Sequence, residues 1–140
     1  MIHVLATITL RPGAQEAWLE EFARLAPEVL AEDGCIEYGA AADVASGISI
    51  QEPVRPDVVM VIEKWSDLGA LGAHLEAPHM VAWRGRVKDL MTGVSLQVLT
   101  ETRLGGDSAL VHSQQIDDDS LNLFVSVRHR IDLLKKFSQL

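Results

Sequence analysis

The run Asp57-Val58-Val59-Met60-Val61-Ile62-Glu63-Lys64-Trp65 decides the fold. Successive side chains alternate across a strand, so Val58, Met60 and Ile62 share one face while Val59, Val61, Glu63 and Trp65 share the other. Both sets are apolar until Glu63 and Lys64, the pattern of a strand that must be covered on both sides. Ile2 to Leu10 has the same two-sided character. Cys35 to Val44 reads as a weaker strand, diluted by alanines, and Val94 to Thr102 as a fourth, with Val94, Leu96, Val98 and Thr100 on one side.

Helical spacing fills the gaps between these strands. After the turn Arg11-Pro12-Gly13, apolar Trp18, Phe22, Leu25, Ala26 and Val29 recur on one stripe, with Glu16, Glu20, Glu21 and Glu28 mostly on the other side. Pro27 is expected to kink or shorten the last turns of this helix, and Gly34 to end it. Ser66 or Asp67 caps a short helix through about Leu75. Pro78 opens another, in which Met80, Trp83, Val87, Leu90 and Met91 form a stripe that Gly93 stops. The segment Ala45 to Pro56, punctuated by Ser46-Gly47, Pro53 and Pro56, is a loop and a candidate lid or rim.

The order strand, helix, strand, strand, helix pair, strand is that of an α+β, ferredoxin-like split βαβ domain: a four-stranded antiparallel sheet with helices on one face. The opposite sheet face keeps large apolar groups, a liability for a monomer, and a homodimer that buries it is the natural solution.

A chain of 140 residues has room for one domain. Its hydrophobic share of 48%, charged share of 23% and mean hydropathy of +0.14 are globular rather than disordered. Residues 1–104 form the domain, and 105–140, broken off by Gly105-Gly106-Asp107-Ser108, an appendage. There Leu121, Leu123, Val125 and Val127 alternate as a candidate fifth strand and Ile131, Leu134 and Phe137 mark a short helix face. A net charge of −8 has the wrong sign for tracking phosphates, which argues against nucleic acid. No apolar run approaches the roughly 20 residues of a membrane span, and the first residues lack the pattern of a signal peptide. One cysteine, Cys35, gives neither an intrachain disulfide nor a thiol metal motif and fits a reducing, cytoplasmic compartment.

Three features taken together resemble the antibiotic biosynthesis monooxygenase family: the strand end Leu10-Arg11-Pro12-Gly13, the strand end Glu63-Lys64-Trp65, and His74 followed by Pro78-His79-Met80. The likeness covers about residues 2–103. It implies a dimeric α+β barrel with a pocket between sheet and helices in each subunit. It also implies oxidation of a quinol or polycyclic phenol by O2 without metal, flavin or haem. Haem-degrading relatives use an Asn on the first strand, and the matching position here is Ala6.

Within that resemblance Trp65 and His74 are the catalytic candidates. The Trp65 ring can hold an aromatic substrate flat and its indole N–H can donate to a substrate oxygen; the same residue type also serves as core or interface. The His74 imidazole can take a phenol proton, or satisfy a local hydrogen bond. Substrate-binding candidates are His3 and Tyr38, if they point inward, His79 near a helix start, Trp83, whose spacing also fits core, and Glu63, a rival base on the Trp65 face. His74 and His79 are five apart with Pro78 between, which fails the i, i+4 geometry of a helical metal site. No nucleotide-binding or nucleophile-elbow pattern occurs. Two other readings use the same residues: an isomerase of a small hydroxy-carbonyl metabolite, which needs only acid-base groups, and a non-catalytic dimeric ligand-binding or stress-response module.

Overall fold

In the computed structural model, which describes residues 1–102, four strands form one antiparallel sheet: β1 (Ile2–Leu10), β2 (Cys35–Ala42), β3 (Val58–Trp65) and β4 (Met91–Thr100), in the spatial order β2-β3-β1-β4. Helices α1 (Gln15–Leu30), α2 (Leu68–Glu76) and α3 (Pro78–Val87) make the second layer. This is the α+β ferredoxin-like arrangement expected from the strand and helix order. Expectations for the appendage lie outside the described residues.

Register sets the two faces. Val4 pairs with Glu63, Ala6 with Val61 and Ile8 with Val59. All six are buried, so this face carries the core. Leu5 pairs with Ile62 and Thr7 with Met60 on the other face, where burial is incomplete. From α1 the core receives Trp18, Phe22, Leu25 and Val29, one stripe of the expected spacing.

Local expectations failed at identifiable places. Pro27 does not shorten α1, which continues to Leu30. The ring lies on the exposed side, where Ala23, whose carbonyl loses the intrahelical donor, is itself exposed to water. Gly34 does not end the helix, which stops at Leu30 with Ala31 as its cap, but lies in the turn into β2. Met91 belongs to β4 rather than α3: a short 3-10 turn, Lys88–Leu90, ends the helix, and Met91 pairs with Leu10. The segment from Ala45 to Pro56 is irregular and exposed, with its base tied by the Arg55 guanidinium donating to the Asp43 carboxylate at 2.8 and 2.9 Å.

Three backbone devices aim side chains into the layer between sheet and helices. First, β2 and β3 slip register between Cys35 and Glu37, so that Cys35 lies opposite Trp65 and Tyr38 opposite Glu63. Residues three apart would ordinarily face opposite ways; the extra residue, Ile36, turns both toward the helices. Second, Ala77 adopts ψ 138°, the extended conformation that a following proline favours, and breaks the helical run between α2 and α3. Third, Gly34 has φ +80°, and its carbonyl accepts from the Ser66 N–H at 2.8 Å, which docks the α1–β2 turn against the start of α2.

A Cβ added at Gly34 would stand 2.6 Å from the Ala70 Cβ and 2.5 Å from the Ser66 Oγ, whereas one at Gly13, also at positive φ, meets open space. Gly13→Ala should therefore cost only the left-handed backbone penalty of about 1–2 kcal/mol. Gly34→Ala should add an overpacking cost of about 1–3 kcal/mol. Urea unfolding of the two variants checks the order; equal midpoints would remove the close-packing role of Gly34.

Candidate active site

The helix-facing end of β3 carries Glu63 and Trp65 two residues apart, so both enter the layer between sheet and helices. Both are buried, and the Trp65 indole N–H donates to the Glu63 carboxylate at 2.8 Å. That donor, expected to be free for a substrate oxygen, is thus already engaged. Burial pushes the Glu63 carboxyl up to about 7; the Trp65 hydrogen bond pulls the other way and nearby Glu32 adds to the rise.

Helix α2 starts at the Asp67 cap, whose Oδ1 accepts from the Ala70 N–H at 2.8 Å, and it delivers His74 from its last turn into the same layer. The His74 ring lies 4.7 Å from the Trp65 ring, tilted by 37°, and 5.6 Å from the Tyr38 ring, nearly edge-on. Its side chain is only 2% exposed. A carboxylate accepts hydrogen bonds and does not donate them, so the neighbour of His74 Nδ1 fixes the tautomer. That neighbour is Glu32, with its two oxygens at 3.0 and 3.1 Å. A hydrogen bond to that carboxylate requires the proton on Nδ1, which in the neutral ring leaves the lone pair on Nε2. Burial lowers the pKa of His74 against the upward pull of the Glu32 carboxylate, with His79 and Arg84 adding to the fall.

Glu32 also accepts from His79 Nε2. On one unbroken helix, residues five apart point about 140° from each other. The break at Ala77 lets His74, in the last turn of α2, and His79, in the first turn of α3, converge on a single carboxylate. Glu32 was absent from the sequence-derived candidates. It lies 42 and 47 residues from its partners, in a turn whose composition is ordinary for a turn, and no local periodicity points to it.

The remaining candidates fall into two groups. Tyr38 belongs to the cluster: it is buried beside His74, and burial, with Glu63 and Glu32 nearby, keeps its hydroxyl protonated. Trp83 is buried on α3 and reaches His74 only through other rings, edge-on to Trp18 at 5.6 Å, with Trp18 stacked on Phe22 and Phe22 on Tyr38. Its indole N–H has no hydrogen-bond partner among the described residues. His3 does not point inward. It pairs in register with Lys64 and Leu99 on the outer face, because alternation gives the inward place to Val4, and it stands 3.7 Å from Glu101. Among the described residues no group of three or more His, Cys, Asp and Glu side chains is arranged to hold a metal ion, and no helix is long and apolar enough to cross a membrane.

A split βαβ layer that encloses a Trp, a His and two carboxylates at one end of its sheet narrows the kinship of the chain. Residues 1–86 match the family model described as antibiotic biosynthesis monooxygenase. The "Probable quinol monooxygenase YgiN" of Escherichia coli K12 is 39% identical over 101 residues, which span 71% of this chain and 96% of that protein. The chain belongs to the antibiotic biosynthesis monooxygenase family. Among solved structures, PA3566 from Pseudomonas aeruginosa superposes with a TM-score of 0.60 at 26% identity, covering 73% of this chain and 94% of its own. Rv0793 from Mycobacterium tuberculosis shares the fold, with a TM-score of 0.59 at 24% identity over 75% of this chain and 98% of its own.

The raised pKa of Glu63 makes a signed prediction. Between the unfolded carboxyl value near 4.5 and the folded value of about 7, the folded state binds more protons than the unfolded one, so this group's contribution to stability is lost as pH rises through that window. His74, with a lowered pKa, acts in the opposite sense below its ordinary value, so wild type alone is ambiguous. Glu63→Gln keeps an acceptor for Trp65 and removes the titration. Its stability relative to wild type should rise by up to about 3 kcal/mol between pH 4.5 and pH 8. Parallel urea titrations check this; a difference independent of pH would refute it.

Proposed function

We propose that the chain is a cofactor-independent monooxygenase that oxidises a quinol or polycyclic phenol with O2. The observation that carries this reading is the buried aromatic and basic pair: Trp65 against His74, with Glu32 leaving His74 Nε2 as the base. Similarity to a protein named as a quinol monooxygenase supports the substrate class.

The reaction needs a base, an aromatic wall and exclusion of water. His74 Nε2 takes the hydroxyl proton, and the resulting phenolate gives one electron to O2. Phenoxyl radical and superoxide recombine to form a carbon–oxygen bond, and the His74 imidazolium returns its proton to the peroxide. The substituted carbon then loses its hydrogen as a proton while the oxygen–oxygen bond breaks. One oxygen remains as the quinone carbonyl and the other leaves as water. Trp65 and Tyr38 flank the ring that moves the proton. Glu63, which titrates near neutrality behind Trp65, is the second acid-base group. His79 bounds the site on the α3 side, and Trp83 packs in the aromatic core away from it. Because Trp65 and His74 are fully buried, substrate entry displaces side chains around them.

The outer sheet face supports a homodimer. Leu5, Thr7, Met60, Ile62 and Leu99 lie on it, with Ile62 38% and Leu99 46% exposed, and a second copy of the same face would cover them. The single thiol suits a cytoplasmic location.

Oxygen uptake by metal-chelated protein with hydroquinones and anthrols tests the chemistry. One O2 should be consumed per quinone formed, and His74→Ala should lower kcat by about 10²- to 10⁴-fold. Turnover without oxygen uptake would favour the isomerase reading, and binding without turnover the ligand-binding module. For the dimer, sedimentation should show two subunits for wild type and one for Ile62→Lys, which places a charge in the apolar face; a monomeric wild type would overturn the interface.

A further inference from the structure

We propose that Glu32 is the positioning residue of this site: it locks His74 in the Nδ1–H tautomer and stabilises the imidazolium between its two proton transfers, with His79 as the clamp that aims the carboxylate. The inference rests on the reading of His74 as the base, and adds to it a residue outside the resemblance motifs.

Geometry carries the proposal. Glu32 presents both oxygens to His74 Nδ1 at 3.0 and 3.1 Å, a placement that a solvated side chain on a turn would not keep. Two features of the chain hold it there. The Gly34 carbonyl is bonded to the Ser66 N–H two residues away, and His79 Nε2 donates to Oε1 from a different helix. Side-chain exposure rises from 2% at His74 to 14% at Glu32 and 21% at His79, so the carboxylate lies at the boundary between a dry ring and water. There its charge is screened less than at a surface, and its field acts on the buried His74 ring as well as on His79. Proton balance is simple. One proton passes from the substrate hydroxyl to His74 Nε2 and returns from Nε2 to the peroxide, while the Nδ1 proton stays on the ring throughout. A neutral base with the opposite tautomer would present an N–H to the substrate and could not accept the proton.

The charged and titratable groups around His74 are Glu32 from the α1–β2 turn, His79 and Arg84 from α3, Glu63 from β3, and Cys35 and Tyr38 from β2. Glu32 is the one that hydrogen-bonds the ring. Its removal should therefore move the ionisation of His74 to lower pH.

The test compares wild type, Glu32→Gln and Glu32→Asp with hydroquinone as substrate and ¹⁵N-histidine labelling as a second readout. Glu32→Gln should lower kcat by on the order of 10²-fold, change KM by less than about threefold, and shift the acid limb of the kcat/KM profile to lower pH. Glu32→Asp keeps the charge and should recover part of kcat with the acid limb near its wild-type position. In the resting wild-type protein at pH 8, ¹⁵N shifts should show His74 protonated at Nδ1; in Glu32→Gln, which offers both a donor and an acceptor, the tautomers should mix. Wild-type kcat and pH profile in Glu32→Gln, or an Nε2–H tautomer in the wild type, would overturn the inference. Full activity of His74→Ala would instead overturn the reading of His74 as the base, a result that the tautomer measurement does not share. If Glu32→Gln fails to fold, the wild-type tautomer and the Glu32→Asp profile still decide.

Discussion

One carboxylate shared by two imidazoles organises the candidate site of this molecule. Glu32 comes from the turn after α1, His74 from the end of α2 and His79 from the start of α3. Three separate pieces of chain meet at two oxygens. Ion pairs on a surface contribute little, because water and salt screen them and long side chains lose freedom in making them. This cluster differs in that His74 is almost wholly removed from water, so its polar nitrogen needs a partner and its tautomer follows from the one it has. The partner of the ring and the sign of the local field both descend from that contact.

Backbone constraints set the meeting point. A proline after Ala77 forces the extended conformation that separates α2 from α3, and without that break the two histidines would diverge. The bulge at Ile36 turns Tyr38 inward opposite Glu63. Gly34 permits a left-handed turn pressed against Ala70, which carries the loop holding Glu32 to the helix bearing His74. None of these devices is chemically reactive. Each controls which reactive groups are neighbours.

The rest of the layer is an aromatic seam. Rings run from Trp65 to His74, Tyr38, Phe22, Trp18 and Trp83 with successive centroids 4.7 to 5.6 Å apart. Such a seam gives two acid-base groups dry surroundings, and it explains why Glu63 and His74 are displaced in opposite directions: burial disfavours the charged form of each. A carboxyl that holds its proton toward neutrality and an imidazole that stays neutral form an arrangement suited to moving protons without bulk water.

Sequence alone determined the layer architecture. Two-sided strands, one amphipathic helix with its apolar stripe and the strand-helix order each report burial through a period of two or 3.6, and those periods are local properties of the chain. Alternation also put Glu63 and Trp65 on one strand face, whereas His74 and Tyr38 entered as candidates beside His3, His79 and Trp83, with nothing in the spacing to say which of them would meet. Tertiary structure alone decided the rest. Glu32 meets His74 across 42 residues, the Trp65 donor is spent on Glu63, and His3 faces outward. Bulges, helix breaks and close glycine contacts change the direction of a side chain by a single residue or a single dihedral, and a pattern averaged over a turn or a strand does not register them. Which polar atoms become partners depends on those directions, so the chemistry of the site was fixed where the periodicity ended.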